Sequence, residues 1–168
     1  PGATGTATAP VIAADPEATR DVALARSERL PIVTAKLNGS ISLTGGRIDD
    51  LHMTDYRETL DPGSDTVTLF SPAGSPRPYY AVYGWAPGAG TTQPLPDANT
   101  VWSVESGETL SEDSPVTLVW DNGSGLIFRR VMSVDENYMF DVVQTVENTT
   151  DTAVRMMPYG IIARTGTP

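Results

Sequence analysis

Apolar and polar positions alternate most clearly along the last third of the chain. Val116, Leu118 and Trp120 fall on one face of a predicted strand over residues 116–120. Asp121-Asn122-Gly123-Ser124-Gly125 follows, a run of residues that tolerate positive φ and form turns. Leu126–Val134 reads as the returning strand and Asp135-Glu136-Asn137 as another turn. In Tyr138–Val146, the side chains of Tyr138, Phe140, Val142 and Val146 share one face, against Asp141, Thr145 and Glu147 on the other. Asn148-Thr149-Thr150-Asp151 turns again, and Ala153–Arg164 is a last strand. Four strands joined by short turns predict an antiparallel meander.

Upstream the pattern is shorter. Within a first β region over Pro31–Leu43, Ile41 and Leu43 alternate with Ser40, Ser42 and Thr44. Asn38-Gly39 is a hairpin signal, but a turn at Gly45-Gly46 leaves flanking runs of more useful length. The turn is therefore placed at the glycine pair, with a bulge or kink near Gly39 and a partner strand over Arg47–Met53. Thr54–Asp65 reads as connection, Thr66–Phe70 as a short strand, and Ser71–Asn99 as a long segment rich in Pro, Gly and aromatics. Val101–Val104 is a further short strand before an acidic turn over Glu105–Asp113. At the other end, Pro1–Ala14 holds only Val11 and Ile12 as large apolar side chains, too few to offset its ordering entropy. Asp15–Leu30 carries mixed charge and leads in as extended or irregular chain, with a short helical turn as the alternative. Residues 1–28 are expected to be a flexible tether and residues 29–168 a β-sandwich domain.

Composition agrees with the pattern. The 168 residues suffice for one domain with a real core, and 15 glycines with 14 prolines suit an all-β, turn-rich fold. A formal charge of −10 argues against nucleic acid, whose phosphates need clustered cations, and against adhesion of the domain's surface to anionic lipid. With no cysteine, thiol catalysis, disulfides and thiolate metal sites are excluded. Ten of the eleven basic residues are arginine, which reads as compositional bias.

Candidate chemistry is sparse. His52 is the only histidine, and no nucleophile-elbow pattern surrounds any serine, so a catalytic triad has nothing to stand on. The carboxylate pairs Asp49-Asp50, Glu112-Asp113 and Asp135-Glu136 do not read as a glycosidase pair. Neighbours in a strand point to opposite faces, and two of the pairs sit in predicted turns. Asp121–Gly125 has the look of a calcium loop's start, but Met132 stands where the twelfth-position glutamate is needed. No metal or other cofactor is expected. The aromatic group Tyr79, Tyr80, Tyr83 and Trp85 is the candidate binding site: beside Pro and Gly on a loop it could offer a platform to sugar, peptide or a partner protein. The competing reading makes these side chains plugs at one end of a sandwich core.

Several stretches, in order and spacing, resemble a known family. They are Ile41-Ser42-Leu43-Thr44-Gly45-Gly46-Arg47-Ile48 with Leu51 and Tyr56 downstream, then Leu69-Phe70. Pro115 through Gly123, Phe128-Arg129-Arg130, Asp135 through Asn148 and Tyr159-Gly160 complete the series. Together they are similar to the large periplasmic domain of the bacterial membrane-protein insertases of the YidC family, of an alphaproteobacterial type. The resemblance implies a β-supersandwich of antiparallel sheets, like that of the galactose-mutarotase superfamily, with the sheets incomplete at the C-terminus and an open edge there. It also implies a non-catalytic accessory role on the periplasmic side of the inner membrane, in contact with the Sec translocon accessory proteins SecD and SecF. Substrate membrane proteins are further implied partners, the parent protein being embedded in the membrane. The superfamily's enzymes use histidines plus an acid for ring opening, so His52 alone does not support mutarotase activity. A carbohydrate- or peptide-binding sandwich is the alternative reading.

Overall fold

The computed structural model describes residues 12–166. One short helix, α1 (Arg20–Leu24), precedes ten strands: β1 (Arg29–Val33), β2 (Leu37–Ser42), β3 (Arg47–Arg57), β4 (Thr66–Phe70), β5 (Tyr79–Pro87), β6 (Ser103–Ser106), β7 (Val116–Asp121), β8 (Leu126–Val134), β9 (Phe140–Asn148) and β10 (Met156–Arg164). The larger sheet runs β1-β2-β3-β5-β10, with β4 paired to the far half of β3; the smaller runs β6-β7-β8-β9. All pairings between named strands are antiparallel. The two sheets face each other as a sandwich and enclose one apolar core. The all-β class read from the sequence is the observed one.

Alternation builds the inner layer. Along β8 every second side chain is buried: Leu126, Phe128, Arg130, Met132 and Val134. Val116 and Leu118 of β7 meet them from one side. Ile41, Ile48, Leu51, Ala81 and Trp85 meet them from the opposite sheet, with Trp102 stacked on Trp85 at 6.3 Å. The glycine pair turns the chain from β2 to β3, with φ of +77° at Gly45 and +59° at Gly46, as the flanking strand lengths indicate.

Several expectations change. The first β region divides into β1 and β2, because Thr34-Ala35-Lys36 forms a hairpin loop in which Thr34 Oγ1 accepts from the backbone of Lys36 and Leu37. β3 continues to Arg57 through what reads as connection. A nine-residue central strand, β5, stands inside the Pro- and Gly-rich stretch. Tyr138 belongs to a turn, at φ +69°, where Lys36 Nζ lies 5.1 Å from its ring. The four-strand meander is three strands: β7, β8 and β9 follow one another, and β10 leaves to pair with β5 over Met156–Arg164 in the other sheet. That exchange lets the last turn close one end of the sandwich instead of lengthening one sheet.

The expected tether is also partly folded. Residues 1–11 lie outside the described residues, but residues 12–28 pack on the larger sheet. Ala18 and Ala23 are buried, Asp15 N donates to Ser75 O at 3.3 Å, and Ile12 N donates to Tyr80 Oη at 3.3 Å. Five residues cannot nucleate a helix on their own. Thr19 caps α1 by accepting from Val22 N, and Arg20 fastens it to the sheet.

Candidate functional site

The face of the larger sheet turned away from the core carries a charged network beneath α1. It originates in a register shift between Ser40 and Ile41: Ile41 faces Ile48, but Ser40 faces Asp50, so Asp49 is an extra residue. A bulge of this kind turns two consecutive side chains to one side. Gly39 makes it possible, since a Cβ there would overlap the Asp50 carbonyl. The result corrects the expectation that Asp49 and Asp50 point to opposite faces. Both carboxylates enter one network, Ser40 Oγ donating to Asp50 Oδ2 at 2.6 Å and accepting from Arg29 Nε at 2.7 Å.

Each carboxylate is matched. Asp49, 1% exposed, pairs with Arg29 and lies 3.7 Å from Arg47 Nε. Asp50 pairs with Arg20 of α1. Burial pushes the Asp50 carboxyl up, yet the polar shell of His52, Ser40 and Arg20 outweighs it and holds the group well below the usual carboxylate range. Arg47 is buried at the margin, donating to Ala98 O at 2.9 Å, and its pKa is lowered by burial.

His52 stands in the same network. Its Nε2 is 3.0 Å from Arg20 Nη2 and 3.5 Å from Asp50 Oδ1. The other ring nitrogen, Nδ1, faces Thr68 Oγ1 at 3.3 Å. Both ring nitrogens are therefore engaged in fastening α1 to β3 and β4. Arg20 completes the clasp by donating to Ser71 Oγ and to Phe70 O, each at 3.1 Å. Groups tied in this way hold a segment on the sheet.

The four aromatics of the sequence-derived site lie on strand β5, not on a loop. Tyr80 (2% exposed) and Trp85 (5%) are buried; Tyr79 and Tyr83 are half-buried. Tyr83 and Trp85 pack into the core, Trp85 making an edge contact with Phe128 at 4.9 Å. Tyr80 alternates to the other face, under the chain at Ile12. Tyr79 stands at the strand's start, edge-on to Phe70 at 5.1 Å. A strand's alternation splits the four between two faces, so they form no common platform.

One residue passed over in the sequence reading is central. Arg130 is 0% exposed and has no carboxylate partner among the described residues. Its Nη1 donates to Gly46 O at 2.8 Å, and Nη2 donates to Tyr83 O at 2.8 Å and Gln144 Oε1 at 3.2 Å. The guanidinium carbon is 4.6 Å from the Trp102 ring centre. Burying a lone cation costs several kcal/mol. Charge-assisted bonds worth about 1.5–3 kcal/mol each, with about 2 kcal/mol from a desolvated cation–π contact, offset part of it. Burial still pulls its pKa down to about 10. Gln144 passes the connection on by donating to Tyr159 O at 3.2 Å, so β8 and β9 of one sheet are bonded to β5 and β10 of the other. The signal was present: Arg130 is in phase with Phe128 and Met132.

Comparison with known proteins gives the architecture its context. A family model described as the YidC periplasmic domain matches residues 29–168. The chain is 60% identical over 142 residues to a membrane protein insertase YidC of Dinoroseobacter shibae, covering 83% of this chain and 23% of that protein. It is 52% identical over 162 residues to the YidC insertase of Roseobacter denitrificans (96% of this chain, 27% of the relative) and 47% identical over 155 residues to that of Bradyrhizobium diazoefficiens (92% and 25%). The chain thus spans about a quarter of the length of these relatives. No helix among the described residues is long and apolar enough to cross a membrane. The relatives are named as insertases, not as members of an enzyme family. Their family assigns the domain to the periplasmic side of the bacterial inner membrane. Matched over this span and at these identities, the chain belongs to the YidC periplasmic domain family, in its alphaproteobacterial branch.

Proposed function

We propose that this chain is a non-catalytic accessory domain of a membrane-protein insertase, acting as a chaperone-like module that assists the insertion and folding of inner-membrane proteins with or without the Sec translocon. The observation that carries the reading is the family match over residues 29–168. The geometry supports it: of the polar side chains able to do chemistry, Asp50 and His52 are consumed in fastening α1, Asp49 in pairing with Arg29 of β1, and Arg130 in joining the sheets. Such a domain works through surface contact, and SecD and SecF are the proposed partners, together with substrate membrane proteins. A sugar- or peptide-binding role through Tyr79, Tyr80, Tyr83 and Trp85 has less support, because two of the four are in the interior.

The test uses the full-length insertase with photo-crosslinking residues at the exposed apolar positions Tyr56, Leu60, Val104, Val143 and Ile162. Adducts to SecD or SecF from one face are expected. If every position stays free of Sec adducts while the insertase remains functional, the docking role is wrong.

A further inference from the structure

We propose that the cleft between β4, the β4–β5 loop and the end of β10 binds a phosphate group, carried by the headgroup of an anionic phospholipid or by a soluble phosphate ester. The cleft has a volume of about 660 Å³ and is lined by Arg20, Arg77 and Arg164 together with Ser71, Tyr79 and Glu58. The three arginines come from three separate elements, in a chain that carries only eleven basic residues and a net charge of −10. Arg20 is matched by Asp50 and donates to Ser71 Oγ in the cleft wall. Arg77 and Arg164 make no ion pair with a described residue. They are the unmatched charges of the site.

Both are held in place by the backbone. Arg77 lies between Pro76 and Pro78, so ring closure restricts the chain on either side of it. The loop is pinned by two bonds between Ser71 and Tyr79 (2.8 and 3.0 Å) and by Thr165 N donating to Pro78 O at 3.0 Å. Arg164 pairs in register with Tyr79, and its guanidinium carbon lies 5.3 Å from that ring centre. Guanidinium groups beside a hydroxyl supply the several donors that the oxygens of a phosphate accept. The volume exceeds what inorganic phosphate needs and leaves room for an esterified group. Glu58 on the rim opposes an anion and sets the direction of one control. The overall negative charge works against adhesion across the whole surface, but the Debye length of about 8 Å at physiological salt lets one cleft act locally. The proposal does not depend on the accessory role in insertion.

The experiment titrates the isotopically labelled 168-residue chain with inorganic phosphate and with glycerol 1-phosphate, following amide shifts at Ser71, Arg77, Tyr79 and Thr165. Vesicles of phosphatidylcholine, with and without phosphatidylglycerol, form the second arm. Saturable shifts confined to these residues are expected. R77Q and R164Q should each weaken binding by about tenfold, the equivalent of one charge-assisted contact, and E58Q should tighten it. Co-sedimentation with the phosphatidylglycerol vesicles, abolished by R77Q/R164Q, assigns the site to a lipid headgroup; saturation by glycerol 1-phosphate without vesicle binding assigns it to a soluble ester. Uniform, unsaturable shifts, shifts that persist in R77Q/R164Q, or tighter binding of an acidic peptide than of either phosphate would overturn the proposal.

Discussion

Asp50 shows how a single side chain sets part of the domain's stability. Its carboxyl is held below the ordinary range, so it binds a proton in the unfolded chain before it does so in the native one. The contribution is fully present above the unfolded carboxylate pKa and is lost as pH falls toward the native one. Asp50→Asn removes it and leaves the Arg20 guanidinium without its counter-charge. A loss of about 2 kcal/mol at neutral pH is expected, the scale of a charged hydrogen bond. Urea unfolding should show the gap between wild type and D50N closing as pH drops below about 4. A gap independent of pH would mean that the carboxylate's charge does not stabilise the clasp.

Between elements, the β5–β10 pairing carries a specific steric agreement. Gly84 faces Tyr159 across the ladder, and a Cβ at Gly84 would stand 2.7 Å from Tyr159 Cζ. Gly84→Ala must displace the tyrosine ring, at a cost of about 1–3 kcal/mol. Tyr159→Ala removes the obstacle at its own cost. The double variant should be more stable than the sum of the single losses predicts, because the overlap that Gly84→Ala creates is absent once the ring is gone. A double-mutant cycle in denaturant checks this, and strict additivity would show that ring and glycine do not meet. The same pairing explains why the meander expectation failed: alternation says that β10 is a strand with a buried side, but not which neighbour buries it. β5 was hidden for a related reason. Pro and Gly surround Tyr79–Pro87 and signal turns locally, whereas its pairing partners are β3 and a strand some seventy-five residues downstream.

At the scale of the molecule, Arg130 joins the two layers. Arg130→Met relieves the buried charge but leaves the carbonyls of Gly46 and Tyr83 without their donor, and a net loss of about 2 kcal/mol is expected. The pH slope has the same sign as that of Asp50 but lies in an alkaline window, and here it reports a buried charge that costs stability rather than one that adds it. The native guanidinium, pulled down to about 10 by burial, releases its proton before the unfolded one. The unfolded state then holds more protons, so the cost of the buried charge is complete below pH 10 and is relieved as pH rises from there toward the ordinary guanidinium range. Stability of the wild type relative to R130M should therefore increase as pH rises above about 10 in parallel denaturation series. A constant difference would show that the charge is not paid for in the native state.

What the sequence by itself determined was whatever local chemistry controls: the all-β class, the inward face of β7 and β8, the Gly45-Gly46 turn, and the Asx turn in which Asp121 and Asn122 accept from the backbone at 2.8 Å. The order of short motifs carried the family as well, since spacing survives where no single residue is diagnostic. Tertiary structure alone decided the rest. It placed the aromatic group on a central strand with two members buried, and sent β10 to the opposite sheet. It also folded residues 12–28 onto a surface whose polar side chains come from four different strands, β1 to β4. The bulge at Asp49-Asp50 is the sharpest case. Period-two alternation separates neighbouring carboxylates, and only the register against β2 reveals that one residue too many brings them together. Side-chain period is a property of one strand; register, sheet membership and the matching of charges belong to pairs of strands far apart in sequence, and no local pattern encodes them.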